Sequence, residues 1–168
     1  MNLLQSPLAR TLALASALAV SLPAARAQDA SAAFNAAADA ALAAMKAKAA
    51  EQGIQGVAIV AYAPGDAVTG WTSKMIVVGR LTRDPLPSDK DGANFLAIAY
   101  SKAGEMAATG EDSGKRKASV PFAGEVRWTG GATLKARTGR VFAAFSGGTG
   151  EQDYACSQAG AAVLAKAL

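Results

Sequence analysis

The run from Gly56 to Tyr62 (Gly-Val-Ala-Ile-Val-Ala-Tyr) constrains the fold more than any other stretch of the chain. It is short, apolar and rich in β-branched residues, so it lacks the wet-and-dry alternation of a half-exposed strand. Such a strand must be covered on both faces, and the covering layers in this sequence are helical. Asp29 to Gln52 is dominated by alanine, can be capped by Asp29 or Ser31, and meets a stop at Gly53. Phe34, Ala38, Ala41, Leu42 and Met45 recur there at three- and four-residue steps, which predicts one apolar face. A second helix is predicted from Ala93 to Thr109, capped by Asp89 or Asp91 and ended by Gly110. Phe95, Ile98, Ala99, Lys102 and Met106 line one side of it. A third runs from Glu151 to Lys166, with Thr149 and Gln152 spaced as a capping box.

Between these helices the pattern is one of strands. Ala63-Pro64-Gly65-Asp66 has turn chemistry, and a second strand from Trp71 to Arg80 completes an antiparallel hairpin. The polar stretch from Arg83 to Gly92, with Pro85 and Pro87, reads as a loop. Gly110 to Pro121 is charged and Ser/Lys-rich and is expected to be mobile. A short strand from Glu125 to Trp128, another from Ala132 to Ala136, a turn at Thr138-Gly139 and a last strand from Val141 to Ser146 follow. Strands meeting by hairpins, with helices between the pairs, argue an α/β (layered α+β) domain. Its sheet is antiparallel and flanked by helices rather than doubly wound.

Residues 1–27 read as a cleavable export signal. Arg10 is its positive end, Thr11 to Leu22 its apolar segment, Pro23 its helix break, and Ala25-Arg26-Ala27 its small-residue cleavage motif before Gln28. The apolar run is shorter than the roughly 20 residues that cross a bilayer, so no membrane span is expected after cleavage. The working part is then a single domain, residues 28–168, placed in the periplasm or secreted. Cleavage removes Arg10 and Arg26 and no acid, lowering the formal charge of +4 by two. The only basic cluster, Lys115-Arg116-Lys117, sits beside Glu111 and Asp112 and reads as a solvated loop. Nucleic acid is therefore not an expected partner. One cysteine, Cys156, excludes an intramolecular disulfide, and the absence of histidine excludes imidazole acid–base chemistry, Ser-His-Asp triads and most zinc sites.

The turn Ser146-Gly147-Gly148-Thr149-Gly150 leads straight into a helix. Its free N–H groups and the positive end of the helix suit a carboxylate or phosphate. Alternatively, the glycines only supply the backbone angles that join strand to helix, and Glu151 and Asp153 compete with any incoming anion. Trp71 and Trp128 read as core-edge or interface residues, and Glu105 equally as a lone carboxylate on the second helix or as the i,i+3 partner of Lys102.

The C-terminal run from Val141 to Leu168 resembles the signature end of the GlcG/HbpS-like family of haem-binding proteins. The resemblance is carried by Phe145-Ser146-Gly147-Gly148, the acidic start Glu151-Gln152-Asp153 and the step Gln158-Ala159-Gly160. The alanine-rich first helix, the Gly56 strand and the helix around Tyr100 are similar to that family at matching spacing. The sequence departs from it in having Ala63-Pro64-Gly65 after the first strand and Gly79-Arg80-Leu81-Thr82-Arg83-Asp84 after the second. The resemblance implies a five-stranded antiparallel, profilin-like sheet, a homo-oligomer and binding of haem or a related tetrapyrrole.

For haem, the iron needs an axial donor or stays weakly held; without histidine the donor types left are Tyr, Met, Cys, Lys or a hydroxyl, with Tyr100 and Met106 on the second helix, Met75 on the second strand and Cys156 on the last helix. Core packing is the competing reading for each. Trp128, Phe95 and Phe122 can supply apolar walls, and Lys102, Arg80 and Arg127 can supply cations for the propionates. The expected binding set is thus Ser146, Gly147, Gly148, Thr149, Tyr100, Lys102 and Met106, with no residue assigned a catalytic role. The leading expectation is an exported haem or tetrapyrrole binder working by sequestration, delivery or sensing. The alternatives are an oligomeric accessory protein of the cell envelope and a binder or enzyme for a small hydroxy- or keto-acid.

Overall fold

The computed structural model describes residues 32–87, 91–115, 123–125 and 127–168. The export segment, the cap candidates Asp29, Ser31 and Asp89, and Phe122 lie outside these residues. In chain order the elements are α1 (32–51), β1 (Gly56–Pro64), β2 (Thr72–Val78), β3 (Thr82–Arg83), β4 (Ala93–Asn94), α2 (Phe95–Thr109), β5 (Gly131–Ala136), β6 (Gly139–Ser146) and α3 (Gly150–Ala167).

The apolar run does become a strand covered on both faces. β1 is buried at its first eight positions and lies inside a sheet of order β2-β1-β6-β5, antiparallel throughout. Ala58, Val60 and Tyr62, with Val141, Ala143 and Phe145 of β6, join one core with residues of α1 and α3. Val57, Ile59 and Ala61, with Phe142 and Ala144, join the other core with α2. Each large apolar side chain buried there is worth about 1.5–3 kcal/mol. The alanines let the helices approach closely. Phe34, Ala38, Ala41, Leu42 and Met45 form the buried face of α1 as their spacing predicts, none more than 1% exposed.

Four expectations are corrected. The central sheet has four strands among the described residues, not the five of a profilin-like sheet. Glu125, Arg127 and Trp128 are not in a strand, and Arg127 has φ 52°, a left-handed angle that an extended ladder does not tolerate. The second helix starts later than Ala93, because Ala93 and Asn94 pair with Arg83 and Thr82 as a two-stranded ribbon. Asn94 then caps it, its side chain accepting from the Ala97 N–H.

The described part of the supposedly mobile segment is pinned to the edge of β5. Ser113 Oγ accepts from Gly131 N at 2.7 Å and Asp112 accepts from Thr133 N at 2.9 Å. These bonds satisfy edge groups that would otherwise invite pairing with another strand.

Candidate functional site: a cleft over a buried ion pair

β6 ends at Ser146 and the chain turns through Gly147 and Gly148 into α3. Gly147 has φ 151°, and a Cβ on it would lie 2.0 Å from the Gln55 carbonyl oxygen. Only glycine lets the turn cross the entrance of β1 so closely. Thr149 caps the helix through the expected box, accepting from Gln152 N while Gln152 Oε1 accepts from Thr149 N.

The turn already holds a carboxylate, and that carboxylate belongs to the chain. Gly148 N donates to Asp153 Oδ1 at 2.9 Å. Asp153 Oδ2 accepts from Lys102 Nζ at 2.7 Å, and the same ammonium donates to the Phe145 carbonyl at 2.8 Å. The side chains of Lys102 and Asp153 are only 2% and 5% exposed, so each charge depends on the other. Burial pushes the Lys102 ammonium below its ordinary value, opposed by Asp153. It pushes the Asp153 carboxyl above its ordinary value, opposed by Lys102 and by the backbone N–H groups of Gly148 and Gly147. Gly130 closes over the pair; a Cβ there would meet Asp153 Cβ at 2.5 Å and Lys102 Nζ at 2.9 Å. Ser157 Oγ ties the layer together, accepting from Phe145 N at 2.9 Å and donating to the Gly130 carbonyl at 2.6 Å.

Above the pair lies an open cleft of about 410 Å³. That volume falls within the roughly 300–1,000 Å³ of small-molecule sites. Ser146, Gly147, Gly148, Lys102 and Asp153 line it from the sheet side. The ribbon of β3 and β4 brings Arg83 and Ala93, α2 brings Phe95 and Ile98, and the connection before β5 brings Arg127, Trp128 and Thr129. Trp128 is 48% exposed, an indole presented rather than stored. The lining therefore combines the Trp128 indole and apolar side chains with two arginines, Arg83 and Arg127, each of which also has another interaction.

Of the seven residues expected at a site, four line this cleft: Ser146, Gly147, Gly148 and Lys102. Thr149 is adjacent but committed to its cap. Tyr100 is elsewhere, its hydroxyl 3.4 Å from Ser73 Oγ of β2. Met106 is fully buried in the α2 core and packs against Gly131. Arg80 does not line the cleft; it stacks 5.4 Å from the centroid of the Phe95 ring. Glu105 is not the partner of Lys102: it accepts from Gly114 N at 2.8 Å, and Asp153 takes the lysine. Sequence reasoning missed Arg83 and the role of Asp153. The signal available for the second was a lysine on the buried face of α2, which requires an acid from a distant element.

The remaining soft donors are placed away from the cleft. Met75 packs against the α2 core and Met45 is in the core shared by α1 and α3. Cys156 is fully buried, and burial, with a smaller contribution from Asp153, pushes its thiol up to about 11. At about pH 8, where an ordinary cysteine is partly thiolate, the folded protein is expected to give no colour with dithiobisnitrobenzoate. The denatured chain should give one full equivalent. Prompt reaction of native protein would show that Cys156 is accessible after all.

No helix among the described residues is long and apolar enough to cross a membrane. The chain matches no family model, and a search of curated proteins finds no match.

Proposed function

We propose that the domain is an exported binder of haem or a related tetrapyrrole, working by sequestration, delivery or sensing rather than turnover. One observation carries the reading. Trp128, whose exposed indole suits the face of a macrocycle, meets Arg83 and Arg127, suited to its acid side chains, in a single open cleft. The resemblance of the Val141 to Leu168 run to the GlcG/HbpS-like family supports it. So does the export signal read at residues 1–27, which would place the domain in the periplasm or outside the cell.

A macrocycle would be held by its rings and its carboxylates, with Trp128 as the wall and the guanidinium groups at the rim. Lys102 and Asp153 satisfy each other beneath it and leave no activated nucleophile. The small-acid alternative is less favoured, because Asp153 already accepts from Gly148 N in the turn that would hold a substrate carboxylate. Assembly as a homo-oligomer belongs to the same proposal, and light scattering on the mature protein tests it.

Titration with hemin should quench tryptophan fluorescence saturably. Trp128→Ala should weaken that binding roughly tenfold, which is about 1.4 kcal/mol. Absence of saturable binding by the wild-type protein removes the proposal.

A further inference from the structure

We infer that the cleft reads the macrocycle and its acid groups and not a central metal, so that metal-free protoporphyrin binds as well as its iron complex. The inference rests on the tetrapyrrole reading and deepens it by naming the ligand class. It follows from where every strong iron donor of the chain has gone.

The chain has no histidine, one cysteine, three tyrosines and four methionines. All of these but Met1 are among the described residues, and none of those described lines the cleft. Tyr62 donates to the Thr138 carbonyl at 2.9 Å, Tyr154 donates to Asp112 at 2.7 Å, and Tyr100 stands beside Ser73. Cys156, Met45 and Met106 are fully buried in the cores. Lys102 does reach the cleft, but its side chain is 2% exposed and its ammonium is already bonded to Asp153 and to the Phe145 carbonyl. Turning it to a metal would strand the Asp153 carboxylate without its counter-charge.

Among the described residues that line the cleft, the oxygen donors not taken up by the ion pair are the neutral hydroxyls of Ser146 and Thr129. Haem proteins take imidazole, thiolate, thioether or phenolate as the strong axial ligand. Binding energy must then come from ring contact with the exposed Trp128 indole and from the charge of the acid groups. A metal-free ring retains both.

The test compares hemin, protoporphyrin IX and zinc protoporphyrin on the full mature protein, read by tryptophan quenching. The expected dissociation constants agree within roughly threefold, and hemin shows no low-spin, six-coordinate absorption bands. Hemin binding more than about tenfold tighter than the metal-free ring, or a low-spin spectrum, overturns this inference and leaves the tetrapyrrole reading standing. Binding by none of the three overturns both. Trp128→Ala is expected to weaken all three alike; if it weakens none, the ligand sits outside the cleft, and this inference falls while tetrapyrrole binding stands.

Discussion

Replacing Lys102 by methionine is expected to cost the domain about 3–5 kcal/mol of stability, because it leaves a buried carboxylate without its counter-charge. Methionine matches the length and fills the volume of the lysine stem, so lost packing contributes little. Asp153 would retain the Gly148 N–H at 2.9 Å and lose the ammonium at 2.7 Å. The Phe145 carbonyl would lose a donor in the same step. Urea unfolding reads the loss as a lower midpoint at unchanged slope. The double variant Lys102→Met, Asp153→Asn should recover at least half of it, since Asn can still accept from Gly148 N and carries no charge. A single-variant loss under about 1 kcal/mol would mean that the pair behaves as a surface salt bridge, and the description of the cleft floor would be wrong.

The layered fold was readable because its signals are local and repeat. The unbroken apolar run of β1 required cover on both faces, and the spacing of Phe34, Ala38, Leu42 and Met45 supplied one covering helix. The capping box at Thr149 and Gln152 depends on two residues three apart, and it forms as expected. What failed was set by pairing across distance. Asn94 is itself an N-cap type, but nothing in the local sequence shows that Ala93 and Asn94 are drawn into a ribbon by Thr82 and Arg83. The stretch from Glu111 to Lys115 looks like a polar linker, but its Asp112 and Ser113 find unpaired edge groups of β5. Composition describes a segment's solubility, not the partners waiting for it.

The candidate site divides in the same way. Ser146 to Gly148 were legible because a glycine pair between a strand and a helix is a local signal. Convergence was not legible: Arg83, Phe95, Lys102, Trp128 and Asp153 come from separate segments, and only the folded chain brings them to one cleft. The helix at Tyr100 shows the limit most clearly. Tyr100, Lys102 and Met106 are close in sequence, but helical geometry sends them to three surroundings: the β2 edge, the cleft and the core. Pairing Lys102 with Glu105 followed from spacing alone. The burial of Lys102 makes an acid that also accepts backbone N–H groups the better partner, and Asp153 is that acid.

A methyl group at Gly147 is the other change expected to have a large effect. Gly147→Ala forces a residue with a side chain to hold φ 151° and places its Cβ 2.0 Å from the Gln55 carbonyl oxygen. Strained backbone and overpacking each cost roughly 1–3 kcal/mol, so the total is of the same order as the Lys102 loss. The obstacle is backbone, which cannot rotate aside as a side chain could. Relief requires the turn to part from the entrance of β1, and that movement draws Gly148 N away from Asp153. The effects of Gly147→Ala and Asp153→Asn should therefore be less than additive, because each loosens the same contact. Gly104→Ala is the control: it lies in α2 with nothing within 4 Å of the added Cβ, and there the same methyl should stabilise by about 1 kcal/mol. Urea midpoints of the four variants decide it. Gly147→Ala within 1 kcal/mol of wild type would show that the turn adjusts freely, and the held carboxylate beneath the cleft would lose its structural explanation.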